Sequence, residues 1–300
     1  MRPLKLIFSK YKISKIYPAV ILIIIAGLVW FIADSQAEQK YTTDQKLNSS
    51  QFFADDFYSS LNKLPIAGEC DKKFSAGITT HHRLASNLVD QFFRCIQKNT
   101  SPKTVILIGP NHYLGGSRGV VTAQNDWQTP FGNLAADTEE ILDLLSSISV
   151  EINDQAVERD HAVSFIIPYI KYYLPQVKIV PLLLRYDFTE RELDGFIGKL
   201  SANLNAETII IGSIDFSHYL TSEQALINDE ETKQIIATRD LVKVYQNGDE
   251  HYDSAPGIYL ILSLLNKINV ASTYELNHAS SSEFTGAEQN ITTYFNWLFY

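Results

Sequence analysis

An α/β fold, a three-layer sandwich around a mostly parallel central sheet, is predicted for the body of this chain by three observations. Continuous apolar runs such as Val105-Ile106-Leu107-Ile108 and Ile209-Ile210-Ile211 suit strands covered on both faces. These runs alternate with helical patterns, which argues for parallel strands joined by crossovers. The 300 residues are 45% hydrophobic and 12% aromatic, enough for a sizeable core in one domain with no internal repeat.

The first element of the chain is of another kind. Arg2, Lys5, Lys10, Lys12 and Lys15 precede an uncharged run from Ile16 to Ala33, and the first acid is Asp34. Eighteen helical residues span roughly 27 Å, close to a bilayer's hydrocarbon core, and Trp30 and Phe31 suit its interface. The expected organisation is a cytoplasmic basic tail (1–15), a transmembrane helix (16–33), a linker (34–50) and an extracytoplasmic α/β domain (51–300). The rival is a secreted protein, since Ser35-Gln36-Ala37 loosely fits a signal-cleavage site. Beyond the anchor, 20 Lys and Arg face 34 Asp and Glu, so nucleic acid is excluded as a partner on charge grounds. Cys70 and Cys95 are the two cysteines. On the outer side they could pair as a staple or stay as buried thiols, and the sequence leaves both open.

The elements of the domain follow in order. A short helix is expected within 51–64, then a strand Ala76-Gly77-Ile78-Thr79-Thr80 that ends at His81-His82. Leu84, Leu88, Val89, Phe92, Phe93 and Ile96 recur at near-helical spacing. The strand Thr104–Ile108 runs through Gly109-Pro110 to His112. Gly115 and Gly116 belong to a loop; with no P-loop lysine and no GxGxxG pattern they are not a phosphate cradle. A strand is expected over 119–123, a turn at Thr129-Pro130-Phe131-Gly132, and a helix opened by an Asp137/Glu140 capping box. A further helix starts at Asp160-His161 and runs past Ile170, bent at Pro168. A strand at 178–184 precedes a helix opened by a Thr189/Glu192 capping box. The strand from Thr208 delivers Asp215-Phe216-Ser217-His218. One long helix over 222–247, a second opened by Pro256, and closing strands at 271–276 and 291–298 complete the domain.

Five of the seven histidines, His81, His82, His112, His161 and His218, stand at expected element ends, where the chemistry of an open α/β sheet collects. Any one of them alone reads as an ordinary surface imidazole. Together they favour a metal or catalytic centre, because imidazole is the commonest ligand of Zn, Fe and Cu and a metal needs several converging groups. Asp215 and His218 share one loop, so the carboxylate can orient or ligate while the imidazole moves a proton. His82 should point away if His81 points inward. His251 and His278 are read as surface residues.

The succession Gly77-Ile78-Thr79-Thr80-His81, Leu107-Ile108-Gly109-Pro110-Asn111-His112, Thr129-Pro130-Phe131-Gly132, Asp160-His161 and Ser213-Ile214-Asp215-Phe216-Ser217-His218-Tyr219 resembles the Memo family, called in microbes AmmeMemoRadiSam system protein B. The resemblance implies the fold of class III extradiol dioxygenases, with metal ligands at His81, His112 and a later cysteine. Here Tyr252-Asp253-Ser254-Ala255-Pro256-Gly257 stands in the cysteine's segment, with Asp253 in its place. Two histidines and a carboxylate favour Fe(II), with Zn or Cu as alternatives, whereas a thiolate favours softer metals. The expected metal set is therefore His81, His112 and Asp253, with His218, Asp215 and His161 as catalytic or substrate-facing groups. The classes left open are a dioxygenase-like oxidoreductase acting on a small molecule, a non-catalytic metal-binding protein, and a protein-interaction module using the same cleft.

Overall fold

In the computed structural model, residues 46–300 other than Ala67 are described. The expected basic tail, the membrane anchor and most of the linker lie outside them. Among the described residues no helix is long and apolar enough to cross a membrane. The strands are β1 (Leu47–Asn48), β2 (Ala76–Thr79), β3 (Thr104–Pro110), β4 (Val120–Thr122), β5 (Trp127–Thr129), β6 (Gly132–Ala136), β7 (Val150–Ile152), β8 (Lys178–Leu184), β9 (Thr208–Ser213), β10 (Phe216–Leu220), β11 (Thr273–Ser280) and β12 (Ile291–Phe299). The helices are α1 (Ala54–Ser60), α2 (Ser86–Asn99), α3 (Thr138–Leu144), α4 (Asp154–Arg159), α5 (His161–Ser164), α6 (Ile167–Tyr173), α7 (Glu190–Asn203), α8 (Ser222–Thr238), α9 (Leu241–Asn247), α10 (Ala255–Lys267) and α11 (Ser281–Thr285).

All strands join one sheet, ordered β1-β5-β6-β8-β3-β9-β2-β12-β10, with β11 on β12 and β4 bridging β8 to β7. The run β6-β8-β3-β9-β2 is parallel throughout. Around it β12, β10, β11, β4 and β5 pair antiparallel. The expectation of a mostly parallel sheet is thus corrected to a mixed one. For β5 and β6 the cause is connection length, since two residues separate them, too few for a crossover; β10, two residues beyond β9, does not pair with it but keeps its direction and pairs with β12.

The continuous apolar strands are divided between two cores by the pleat. Ile106 and Ile108 face one core with Leu193, Phe196 and Leu200 of α7 and Leu260, Ile261 and Leu264 of α10. Val105 and Leu107 face the other with Phe92, Phe93 and Ile96 of α2 and Ile167 and Ile170 of α6. Helices therefore cover both faces, and each fully buried Phe or Ile side chain contributes about 1.5 to 3 kcal/mol.

Several boundaries differ from expectation for local reasons. Leu47, placed in the linker by its polar surroundings, is buried and pairs in register with Trp127. The long helix expected over 222–247 breaks into α8 and α9 where Arg239 caps α8 in the left-handed conformation, φ 54°. Pro168 does not bend a helix; it sits in the first turn of a separate helix, α6, where its missing N–H costs nothing. The Thr189/Glu192 capping box forms. The Asp137/Glu140 one does not, because Asp137 accepts from Thr104 Oγ1 at 2.6 Å instead. Cys70 and Cys95 are disulfide-bonded, joining the 68–71 turn to α2.

Candidate metal centre

Three adjacent parallel strands each place one side chain two residues beyond their ends. β2 stops at Thr79 and leads to His81, β3 stops at Pro110 and leads to His112, and β9 stops at Ser213 and leads to Asp215. β3 and β9 part company at Ile108 and Gly212, whereas β3 and β8 stay paired to Pro110 and Leu184. The sheet therefore opens a crevice at its carboxyl edge. Gly109 sits at the fork, and a Cβ there would lie 2.8 Å from the Cβ of Ala162. Its absence lets α5 lean close and bring Asp160 and His161 to the same rim.

Asp253 arrives by a different route. The segment 251–253 runs antiparallel to 215–217: Ser217 N donates to His251 O at 3.0 Å, Asp253 N donates to Asp215 O at 3.0 Å, and Phe216 bridges Tyr252. Ser254 then caps α10 by accepting from Gly257 N at 3.1 Å. Asp253 is thus held between the end of one strand and the start of one helix.

Hydrogen bonds behind the rings fix which nitrogen faces inward. His81 Nδ1 lies 3.1 Å from Ser213 Oγ. His112 Nδ1 lies 2.8 Å from Asp160 Oδ1, while Asp160 Oδ2 accepts from the His112 amide at 2.9 Å. In both residues Nε2 is left to point into the crevice, the arrangement that backing groups impose on metal-binding histidines. Asp253 Oδ2 stands 3.1 Å from His81 Nε2 and 3.7 Å from His112 Nε2. Neither Asp253 oxygen has an aligned hydrogen-bond donor, although both are buried, so these contacts are charge attractions without hydrogen-bond geometry. Asp215 is more committed: its Oδ1 accepts from Thr80 Oγ1 and from the His81 amide.

The protonation equilibria follow from this geometry. Burial works against the His81 imidazolium, but the charges of Asp215 and Asp253 outweigh it and raise the pKa. Burial likewise opposes charge on His112, yet Asp160 and Asp253 hold its pKa at about 10. Asp253 is pulled below the usual carboxylate range, since the neighbouring His81 and His112 overcome the cost of its burial. His161 moves the other way, to about 4, through burial and then the charges of His81 and His112. A divalent cation would take the place of the protons that His81 and His112 hold around Asp253. An uncommitted buried carboxylate between two backed imidazoles fits such an ion.

Nitrogens of His81, His112 and His161 come within 4.8 Å of one another, as do atoms of His81, Asp215 and Asp253, so a His/Asp group here could hold a metal ion. His161 stacks on His112 with ring centroids 4.0 Å apart. A cavity of about 950 Å³ opens over the group, lined also by His82, His218, Tyr186, Tyr219 and Glu250. Among the described residues no Lys or Arg lines it. His218 rides on a strained turn: Ser217 at φ 25° and Tyr219 at φ 59° are both in the left-handed region, at a cost of about 1 to 3 kcal/mol each. Its Nδ1 is buried without a hydrogen-bond partner.

All six residues named from the sequence, His81, His112, Asp253, Asp215, His161 and His218, line this one cavity. His82 does not turn wholly away; it is half-buried, lines the cavity's edge and caps the 83–85 turn through Leu84 N at 3.3 Å. Two histidines read as surface residues are not. His251 is buried and bonds Glu231 at 2.9 Å, and His278 bonds the buried Asp229 at 2.7 Å. Sequence reasoning missed Asp160 and Ser213 as the groups behind His112 and His81. An Asp preceding a helix-starting His was the one visible signal, since Asp160 caps α5 by accepting from Ala162 N at 3.0 Å.

Comparison with known proteins agrees with this picture. The family model described as Memo-like protein matches residues 76–297, which spans every element that builds the cavity. A MEMO1 family protein of Pyrobaculum aerophilum is 27% identical over 206 residues, covering 66% of this chain and 73% of that one. One from Caldivirga maquilingensis is 26% identical over 211 residues, covering 68% and 75%. The crystal structure of an uncharacterised protein from Escherichia coli K12 shares the fold, with a TM-score of 0.51 at 14% identity over 75% of this chain and 99% of that one. With its model matched across most of the chain and the histidine-bearing strand ends inside the match, the chain belongs to the Memo family.

Proposed function

We propose that this Memo family protein is a membrane-anchored, extracytoplasmic oxidoreductase with a mononuclear iron(II) centre, of extradiol-dioxygenase type, acting on a small molecule. The observation that carries the proposal is Asp253: a buried carboxylate with no hydrogen-bond donor, set between the Nε2 atoms of His81 and His112. His81, His112 and Asp253 would hold the ion, and two imidazoles with one carboxylate are the donor set that suits iron(II) and leaves other positions open. The ion, when bound, supplies the redox chemistry that the side chains lack.

The remaining groups have work to do around it. Ser213 and Asp160 hold the two imidazoles in the orientation that presents Nε2. Asp215 ties the His81 amide and Thr80 to the end of β9 and fixes the floor. His161, neutral down to about pH 4, offers a lone pair to a substrate hydroxyl. His218 has a ring nitrogen free of any protein partner, and its imidazole is the group placed to carry a proton to or from a substrate. With no Lys or Arg in the lining among the described residues, the cavity offers no fixed cationic partner to an anionic substrate.

Elemental analysis of protein purified without a histidine tag should find stoichiometric metal, lost in the His81→Ala/His112→Ala double variant. Equal, negligible metal in both overturns the centre. Oxygen uptake with catechol-like compounds by iron-loaded protein tests the reaction, and a loaded but silent protein returns the reading to metal binding alone. The location is supported by the basic flank of the apolar run at 16–33 and by the bonded Cys70 and Cys95, since disulfides persist in oxidising compartments. Protease added to intact cells should remove the α/β domain, and full protection would reverse the orientation.

A further inference from the structure

We propose that Asp229, a buried residue of α8 outside the cavity lining, is a positioning residue that aims the His218 imidazole. The inference rests on the reading of His218 as the proton carrier, and its evidence is separate from that of the metal ligands. His218 lies between two non-glycine residues of positive φ, Ser217 and Tyr219. The β10–β12 ladder shifts register between Phe216 and Leu220, so the strand bulges where His218 sits. Backbone of this kind persists only where its surroundings over-determine it, and bulges re-aim side chains beside functional sites.

Asp229 supplies the restraint. Its side chain is buried, and Oδ1 accepts from Ser217 Oγ at 2.7 Å and from Thr293 Oγ1 at 2.7 Å. Oδ2 lies 2.7 Å from Nε2 of His278, which is stacked on Phe295. One carboxylate of α8 thereby ties β10, β12 and β11 together at the residue next to His218. The same helix holds the other cavity-facing segment from behind: Asn228 Nδ2 donates to Glu250 O at 3.1 Å, and Glu231 bonds His251. A buried carboxylate is a poor way to gain stability where an apolar residue of similar volume would pack. Its three donors from three strands give instead a fixed direction to the turn they surround.

The test follows the ring itself. In protein labelled at histidine side chains, the His218 resonances are assigned by their loss in His218→Ala. Asp229→Ala is expected to shift and broaden them while the His81 and His112 resonances stay in place and Zn²⁺ affinity, read by chelator competition, changes less than about twofold. Asp229→Asn keeps an acceptor for the two hydroxyls and should restore the native His218 position. Folded Asp229→Ala protein with unchanged His218 resonances overturns the proposal, as does an equal disturbance of all the histidines. If Asp229→Ala does not fold, Ser217→Ala removes the single tie to β10 and must move His218 in the same way; an unmoved ring again overturns it. Failure of the His218 reading would show differently, as oxygen uptake that His218→Gln leaves unchanged while the ring still responds to Asp229.

Discussion

Asp160 carries two tasks at once, and they can be separated. Its carboxylate caps α5 through Ala162 N and also backs His112 at both the ring and the amide. Asn is as good a cap as Asp, so Asp160→Asn should change the stability of the fold by no more than about 1 kcal/mol, read from denaturant unfolding. It cannot hold the His112 Nδ1–H as a carboxylate does, and loss of such a backing group typically weakens metal binding about 10- to 100-fold. Chelator competition with Zn²⁺ checks this, and an unchanged affinity would mean that His112 is not a ligand. At this scale the sequence was informative about residues that end strands and silent about those behind them. His81, His112 and Asp215 stand where an apolar run stops, which is a local signal. The bond from Asp160 to His112 joins residues 48 apart, and that of His278 to Asp229 joins residues 49 apart. Neither spacing leaves a periodic trace, so His278 read as a surface residue.

Elements were legible in proportion to how they are covered. β3, β8 and β9 are buried on both faces and read as unbroken apolar runs, and β4 falls within the strand expected over 119–123, whereas β5 and β7 are three residues long, shorter than any alternation can establish. Two predictions belong here. Gly109 lets α5 approach the end of β3, and a Cβ there meets the Cβ of Ala162 and, at 3.4 Å, Ser213 O, neither of which can swing aside. Gly109→Ala should therefore cost about 1 to 3 kcal/mol by overpacking, read as a lower melting temperature together with weaker Zn²⁺ binding, because α5 carries Asp160. The second concerns the loop after His112. Glu151 accepts from the amides of Ser117 and Arg118 and from Ser117 Oγ. Partial burial would raise its pKa, but these amide bonds prevail and lower it. A depressed carboxylate contributes fully at neutral pH and loses its contribution as the pH falls through its folded value. The Ser117 and Arg118 amide resonances should titrate together below the ordinary glutamate range, and in Glu151→Gln they should be displaced at neutral pH with no such titration.

For the molecule as a whole, the α/β class and both helical layers were legible from the order of apolar runs and helical patterns. The directions of the outer strands were not, because direction depends on which distant strand each one pairs with, as β4 with β8 and β12 with β2, rather than on the strands' own residues. The disulfide was open for a similar reason. Two cysteines 25 residues apart carry no sign of proximity until the 68–71 turn packs on α2 and brings their Cα atoms to 4.9 Å. The bond staples the segment that precedes β2 to the helix that follows His81, so it encloses the first metal-facing strand. Closing a loop of that length in the unfolded chain is worth about 3 kcal/mol, and for a domain of this size that corresponds to a melting temperature lower by about 6 to 12 °C once it is removed. The Cys70→Ser/Cys95→Ser double variant should show that fall, and dithiothreitol should produce it in the native protein and leave the variant unmoved. The unreduced native protein should alkylate only after reduction. If the variant also loses Zn²⁺ affinity in proportion to its stability, the staple serves folding alone; affinity lost while the domain stays fully folded would show that it also holds β2 in place for His81.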